Sequence, residues 1–236
     1  MIRVALTQDA ALNAILARHP MVEMSGESAL PGLQFSSGTW NREIRINDPS
    51  LECSGLVELI DNNPMVCADA VSVPGLMETL ALIALGPLAK AQLIVERPIL
   101  LCNADLSEEV LTEFLRTFGW DEGAMGSVEE LDFGDVLVLN ALVKIQTPRQ
   151  VEVLDELFDE CYGRSFFVRS DQDSEWDIRL VAGHPHAVYR LVISEGEEFS
   201  LLRVQVMADR NGKAGAAQVV HAMNVMCGLE ESIPFA

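Results

Sequence analysis

The stretch DRNGKAGAAQVVHAMNVMCGLEES (209–232) decides how this chain reads. NGK supplies a turn, Gly228 supplies a helix stop, and the residues between, expected as a helix over 213–227, are mostly Ala, Val and Met. Small side chains permit close backbone approach, so such a helix is made to lie tightly against another element. The residues before it indicate the setting. DVLVLNALVKI (135–145) alternates as a strand. TPRQ (147–150) predicts a helix start, with Thr at the cap, Pro at the first helical position and Gln three residues after the cap. That helix carries Val151, Leu154, Leu157, Phe158 and Cys161 on one side and ends at Gly163. FFVRS (166–170), WDIRLVAG (176–183), HAVYRLVIS (186–194) and FSLLRVQVMA (199–208) then read as strands, the last two joined by an EGEE hairpin turn. The pattern predicts an α+β half with helices on one face of a mostly antiparallel sheet.

Upstream, IRVAL (2–6) reads as a buried strand. DAALNAILARHP (9–20) reads as a helix with Leu12, Ile15 and Leu16 on one face. Residues 25–55 are rich in Gly, Ser, Pro and Asn and give no clear assignment beyond REIRI (42–46) as a strand. GLVELID (55–61) is a short helix or strand, and MVCADAV (65–71) a buried strand. VPGLMETLALIALGPLAKAQLI (73–94) is apolar nearly all round, which predicts a helix inside a core or an oligomer interface. ERPILLCN (96–103) is a strand, and DLSEEVLTEFLRTFG (105–119) a helix opened by Asp105 and Glu108 and stopped at Gly119. The acidic residues 119–134 read as a solvated connector.

The totals set outer bounds. The chain has 236 residues, 49% of them apolar, enough to bury a core. Sixteen Lys and Arg against 36 Asp and Glu give a net charge of −20, which repels phosphate backbones and anionic headgroups, so neither nucleic acid nor membrane is an expected partner. Cys53, Cys67, Cys102, Cys161 and Cys227 are scattered and form no CxxC, as expected of reduced thiols in a cytoplasmic protein. MIRVALTQDA does not read as a signal peptide, and no apolar run is long enough to span a bilayer.

Several segments together resemble the N-acetyl-gamma-glutamyl-phosphate reductases, relatives of aspartate-semialdehyde dehydrogenase. Asp209, Lys213, Gln218, Met223, Asn224, Met226, Gly228 and Leu229 fall where that family has D-N-L-x-K-G-A-A-G-Q-A-x-x-x-M-N-x-M-x-G-L. PGLMETLALIALGPLAKAQLI (74–94) is similar to N-P-G-C-Y-x-T-A-x-L-A-L-x-P-L, and CYGRSFFVR (161–169) to Y-x-x-x-x-F-V-R. MIRVAL and LARHPMVE (16–23) resemble the first strand and the end of the first helix. The resemblance implies a reduced Rossmann-like part over 1–72. Over 73–236 it implies a semialdehyde-dehydrogenase-like dimerisation domain with a mixed or antiparallel sheet. It also implies a closing helix lying against the cofactor-binding half.

The family forms a thioester between a Cys thiolate and an acyl phosphate, then receives hydride from NADPH. This sequence departs at each requirement. The nucleophile position is Leu76. IRVAL passes to TQDAALNAILARHP without a glycine for a phosphate loop. The segment that holds the catalytic His has no counterpart. Cys67, and on the same terms Cys102, is a weak candidate for a relocated nucleophile; the plain alternative for each is an inert buried thiol. His184 and His186, two apart, could face one way on a strand as metal ligands do, yet no third ligand is near and no metal is expected; by resemblance their segment overlays the family's G-S-N stretch and would border the active-site cleft, which makes them candidate ligand-binding residues. By resemblance Asp209, Lys213 and Gln218 would lie near substrate and cofactor, with His221 on the same helix face; the plain alternative is a capped turn and a satisfied core histidine. The expected function is that of a non-catalytic relative, a homodimer or higher homo-oligomer acting as a binding or assembly protein with room for a further protein partner and no cofactor. The alternative is an enzyme of altered chemistry that still binds NADP or a small metabolite.

Overall fold

A computed structural model describes residues 1–28, 32–38 and 40–235. Two sheets carry the fold, each built by alternation. The first contains β1 (Ile2–Leu6), β2 (Val22–Glu27), β3 (Leu33–Ser37), β4 (Trp40–Ile46) and β5 (Ala70–Val73), in the order β2-β1-β3-β4-β5. β1 and β2 are parallel, joined through α1 (Ala10–Leu16). β3 runs antiparallel to both β1 and β4, and β5 closes the sheet parallel to β4. Val4, Leu33, Phe35, Ile44 and Val71 are buried on one face. Arg3, Gln34, Ser36, Asn41 and Glu43 line a polar hollow on the other. Only the first face needs covering, and α1, α2 (Asn62–Cys67) and α6 (Ala216–Met226) cover it. A dinucleotide-binding sheet has helices on both faces; among the described residues this one has helices on one. Gly32 opens β3 at φ +101°, and a Cβ there would lie 2.0 Å from the Ile44 carbonyl oxygen.

The second sheet has the order β7-β6-β8-β11-β10-β9, formed by β6 (Ile99–Cys102), β7 (Met125–Val128), β8 (Val136–Gln146), β9 (Val168–Ser170), β10 (Ala187–Ser194) and β11 (Phe199–Asp209). Its spine is the antiparallel β8–β11 pair, in register from Val136 opposite Asp209 to Gln146 opposite Phe199. Leu137, Leu139, Ala141 and Val143 point with Leu202, Val204 and Val206 into a core shared with α3 (Leu76–Lys90), α4 (Glu108–Arg116) and α5 (Glu152–Tyr162). The other face carries Ile99, Leu142, Val192, Leu201 and Arg203; a loop bearing Trp176 and Ile178 covers only the end around Val136, Val188 and Met207.

α3 is buried from Met77 to Ala89, as its all-round apolar sequence predicts. It contains Pro87, which has no N–H to offer the carbonyl four residues earlier. That carbonyl, on Ile83, instead accepts a hydrogen bond from the buried Tyr162 hydroxyl at 3.1 Å.

Several local expectations are corrected. The segment 65–71 is not one buried strand: α2 runs to Cys67, the strand begins at Ala70, and Cys67 is exposed. α5 starts at Glu152 and not within TPRQ, because the Thr147 hydroxyl is engaged with Gly196 and Ser200 across the sheet. The cap of α4 is Ser107, whose side chain accepts from Val110 N–H. WDIRLVAG forms a 3₁₀ turn at Ile178–Leu180 in place of a strand. The connector 119–134 contributes β7, an edge strand parallel to β6. α6 begins at Ala216, after a turn.

Candidate functional site

A cleft of about 460 Å³ opens between the two sheets, where α3 and α6 begin. It is lined by the β1–α1 turn (Thr7, Gln8, Asp9), by Val73, Pro74, Gly75 and Leu76, and by Arg210, Ala214, Gly215, Ala216 and Val219. Gly215 lets the helices meet: a Cβ there would stand 2.2 Å from the Arg210 carbonyl oxygen and 3.2 Å from Leu76 Cδ2. Leu76 is the first residue of α3, so the position matched to the nucleophile faces the cleft from a helix N-terminus. A thiolate there would be stabilised; an isobutyl group has nothing to ionise. Among the described residues neither Cys nor His lines the cleft.

The β1–α1 turn is closed by its own side chains. Asp9 Oδ1 accepts from the N–H groups of Ala11 and Leu12 at 2.8 and 3.0 Å. Asn13 accepts from Thr7 N–H at 3.0 Å and donates to Thr7 O at 2.8 Å. A dinucleotide's pyrophosphate binds to such N–H groups when glycines leave them open. Here the Asp9 carboxylate already accepts from the Ala11 and Leu12 N–H groups.

Below the cleft lies a buried ionic cluster. Lys213 Nζ is 2.7 Å from Glu58 Oε2, with side-chain exposures of 0% and 4%. Lys213 Nζ also approaches His221 Nδ1 at 3.3 Å, and His221 Nε2 lies 2.9 Å from Glu231 Oε2 at the surface. Ser165 Oγ donates to Glu58 Oε1, and the Phe167 ring stacks on His221 at 4.3 Å. Burial works to raise the Glu58 pKa, but the Lys213 ammonium, through its charge and its hydrogen bond, outweighs it and holds the carboxyl below the usual range. Burial lowers Lys213, with Glu58 opposing. Burial and then Lys213 push His221 down, so the imidazole is neutral. Asn224 donates to the carbonyls of Glu231 and Ile233 and pairs with His19, fastening the residues after α6 to its side.

Of the residues singled out in the sequence, Lys213 and His221 come together in this cluster. Gln218 lies on the same helix but donates to Thr79 Oγ1 at 3.2 Å, tying α6 to α3. Asp209 is a brace, accepting from Gly183 and Asn211 N–H. His184 and His186 precede β10 and do not lie on it, flanking a bend at Pro185; their rings are 5.2 Å apart. Burial, then Arg169 and His184, push His186 down to about 4. No group of three metal-capable side chains exists among the described residues. Cys67 does not line the cleft. Glu58, Ser165, Glu231, Asp9 and Arg210 were not singled out. Glu58 had a signal, a lone charge inside the apolar LVELI run.

No known protein family and no curated protein matches the sequence. Solved structures do match. The crystal structure of aspartate semialdehyde dehydrogenase II from Vibrio cholerae complexed with ASA is similar at TM-score 0.65 and 10% identity, over 97% of this chain and 98% of that one. A second structure of the same enzyme gives 0.59 and 11%, over 92% and 94%. At such identity the likeness is one of architecture: the chain has the semialdehyde-dehydrogenase fold, end to end.

Proposed function

We propose that the chain is a non-catalytic relative of N-acetyl-gamma-glutamyl-phosphate reductase that acts as an oligomerising binding or assembly protein. One observation carries the reading: the cleft where a thiol would have to open α3 holds Leu76, and among the described residues neither Cys nor His lines it. Acyl-phosphate reduction through a thioester needs an activated nucleophile and an acid/base partner within hydrogen-bond reach. The Asp9-closed turn supports the loss of NADP at its phosphate end, so no hydride step is derived. Lys213 and His221, which chemistry could use, are instead locked in a buried pair with Glu58.

The uncovered face of the second sheet supports the oligomeric part. Ile99 and Leu201 are exposed there beside Leu142 and Val192, and a second copy of the chain would bury them in a homodimer. An alternative reading, an enzyme of altered chemistry using Cys67, has less support, because the thiol is exposed and away from the cleft. The test is light scattering after size exclusion, with a thermal-shift titration of NADP and NADPH on the same sample. A stable oligomer with an unmoved melt is expected, and Leu201→Asp should dissociate it. A strict monomer, or a saturable NADPH shift, would overturn the reading.

A further inference from the structure

We propose that the cleft between the two sheets binds a small, mainly apolar carboxylic acid, its carboxylate on Arg210 and its body against Leu12, Leu76 and Val219. The inference rests on the binding-protein reading above and names the ligand class of that same cleft. The cavity falls within the ~300–1,000 Å³ range of small-molecule sites. Its walls are mostly side chains without polar atoms: Leu12, Ile46, Val73, Leu76, Ala214 and Val219. Such a surface rejects a sugar or a dinucleotide, whose hydroxyls would lose water without finding partners.

The polar groups fix the sign of the ligand. Asp9 is the only carboxylate in the lining, and its Oδ1 is committed to two N–H donors of α1. Arg210 is the only cation in the lining, and its guanidinium makes no ion pair or hydrogen bond among the described residues. Arg45, Arg97, Arg116, Arg179 and Arg190 each have a carboxylate partner; other arginines lack one too, and what sets Arg210 apart is its place on the cavity lining. An unpaired guanidinium at the edge of an apolar cavity selects an amphipathic anion, and its fork matches a carboxylate. Leucine at position 76 then has a use: it is the wall against which the apolar body lies, where a reactive group would have been exposed to the ligand.

The test is calorimetric titration of the full chain with hexanoate, using hexan-1-ol and hexylamine as controls of equal length. Saturable one-to-one binding of hexanoate is expected, with the alcohol and amine weaker by about tenfold or more, the scale of one charge-assisted hydrogen bond. Arg210→Gln, at an exposed position, should remove the advantage of the acid over the alcohol. Leu76→Glu should abolish binding, and Leu76→Met should keep it. No binding at millimolar hexanoate overturns the proposal. So does equal binding of acid and alcohol, or acid binding unchanged in Arg210→Gln and Leu76→Glu. NADPH run on the same preparation separates this failure from the other: hexanoate silent, NADPH silent and the oligomer intact removes only the ligand class. Saturable NADPH binding removes the non-catalytic reading as well.

Discussion

Replacing Lys213 with Met keeps the length and the apolar stem and deletes one charge. Glu58 is then left in the interior with the Ser165 hydroxyl at 3.0 Å and the neutral His221 at 3.9 Å. At a separation of 2.7 Å the gross attraction lost is about 6 kcal/mol for an effective dielectric constant near 20. Part is returned because the ammonium no longer has to be desolvated. The net cost of breaking such a pair from one side is about 3–5 kcal/mol. For a chain of this size that lowers the melting temperature by about 10 °C. Urea denaturation of Lys213→Met should show the loss as a lower midpoint at unchanged slope. The double variant Lys213→Met/Glu58→Gln, with no uncompensated charge, should recover at least half of it, the non-additivity expected of touching residues. A single variant that loses less than about 1 kcal/mol, or a double variant no better than the single, would refute a charged buried pair.

The remaining predictions concern protons, one hydroxyl and the thiols. His221 is neutral in the fold because burial and Lys213 lower its pKa, whereas the unfolded chain titrates near 6.5, so below that pH the unfolded state binds the extra proton. Stability should therefore fall as pH drops from about 7.5 to 5.5, by up to about 1.4 kcal/mol per pH unit from this residue. His19 and His186, also lowered chiefly by burial, act in the same direction, and a flat urea midpoint over that range would contradict all three. Tyr162→Phe leaves the Ile83 carbonyl, already without a helical donor, unsatisfied in the core; a loss of about 1–3 kcal/mol is expected by urea titration, and a neutral result would mean that Pro87 needs no such partner. With a thiol reagent, the exposed Cys67 should react first, and Cys102, buried with its pKa raised to about 12, only on unfolding. Mass mapping of the labelled peptides checks the order.

Legibility in the sequence followed the strength of periodicity. β8 and β11 alternate cleanly because one face is packed on α3, and α3 itself has no polar side to mistake. The first sheet was harder. Its outer face is solvated and its strands are short, so β2 and β3 merged with the Gly- and Ser-rich residues around them. The TPRQ signal failed because a long-range bond to the β10–β11 hairpin took the Thr147 hydroxyl that a local cap would have used. In the site, Leu76 was readable by position. The closing of the β1–α1 turn by Asp9 was not, since an Asp before a helix means only a cap until the neighbouring sheet is in view. The ionic cluster was half visible: Lys213 and His221 are eight residues apart on one segment, but Glu58 reaches them from more than 150 positions upstream, and nothing in a linear pattern pairs them.

α6 completes the core of a sheet whose first strand begins at Ile2. During synthesis that sheet waits, with the face bearing Val4, Leu33, Phe35 and Ile44 covered only by α1 and α2, until residues 216–226 are made. The second sheet has no such wait, because α3, α4 and α5 are interspersed with its strands. The first sheet is thus the later of the two to consolidate, and its partly covered face stays open to chaperones, proteases and aggregation until α6 is made.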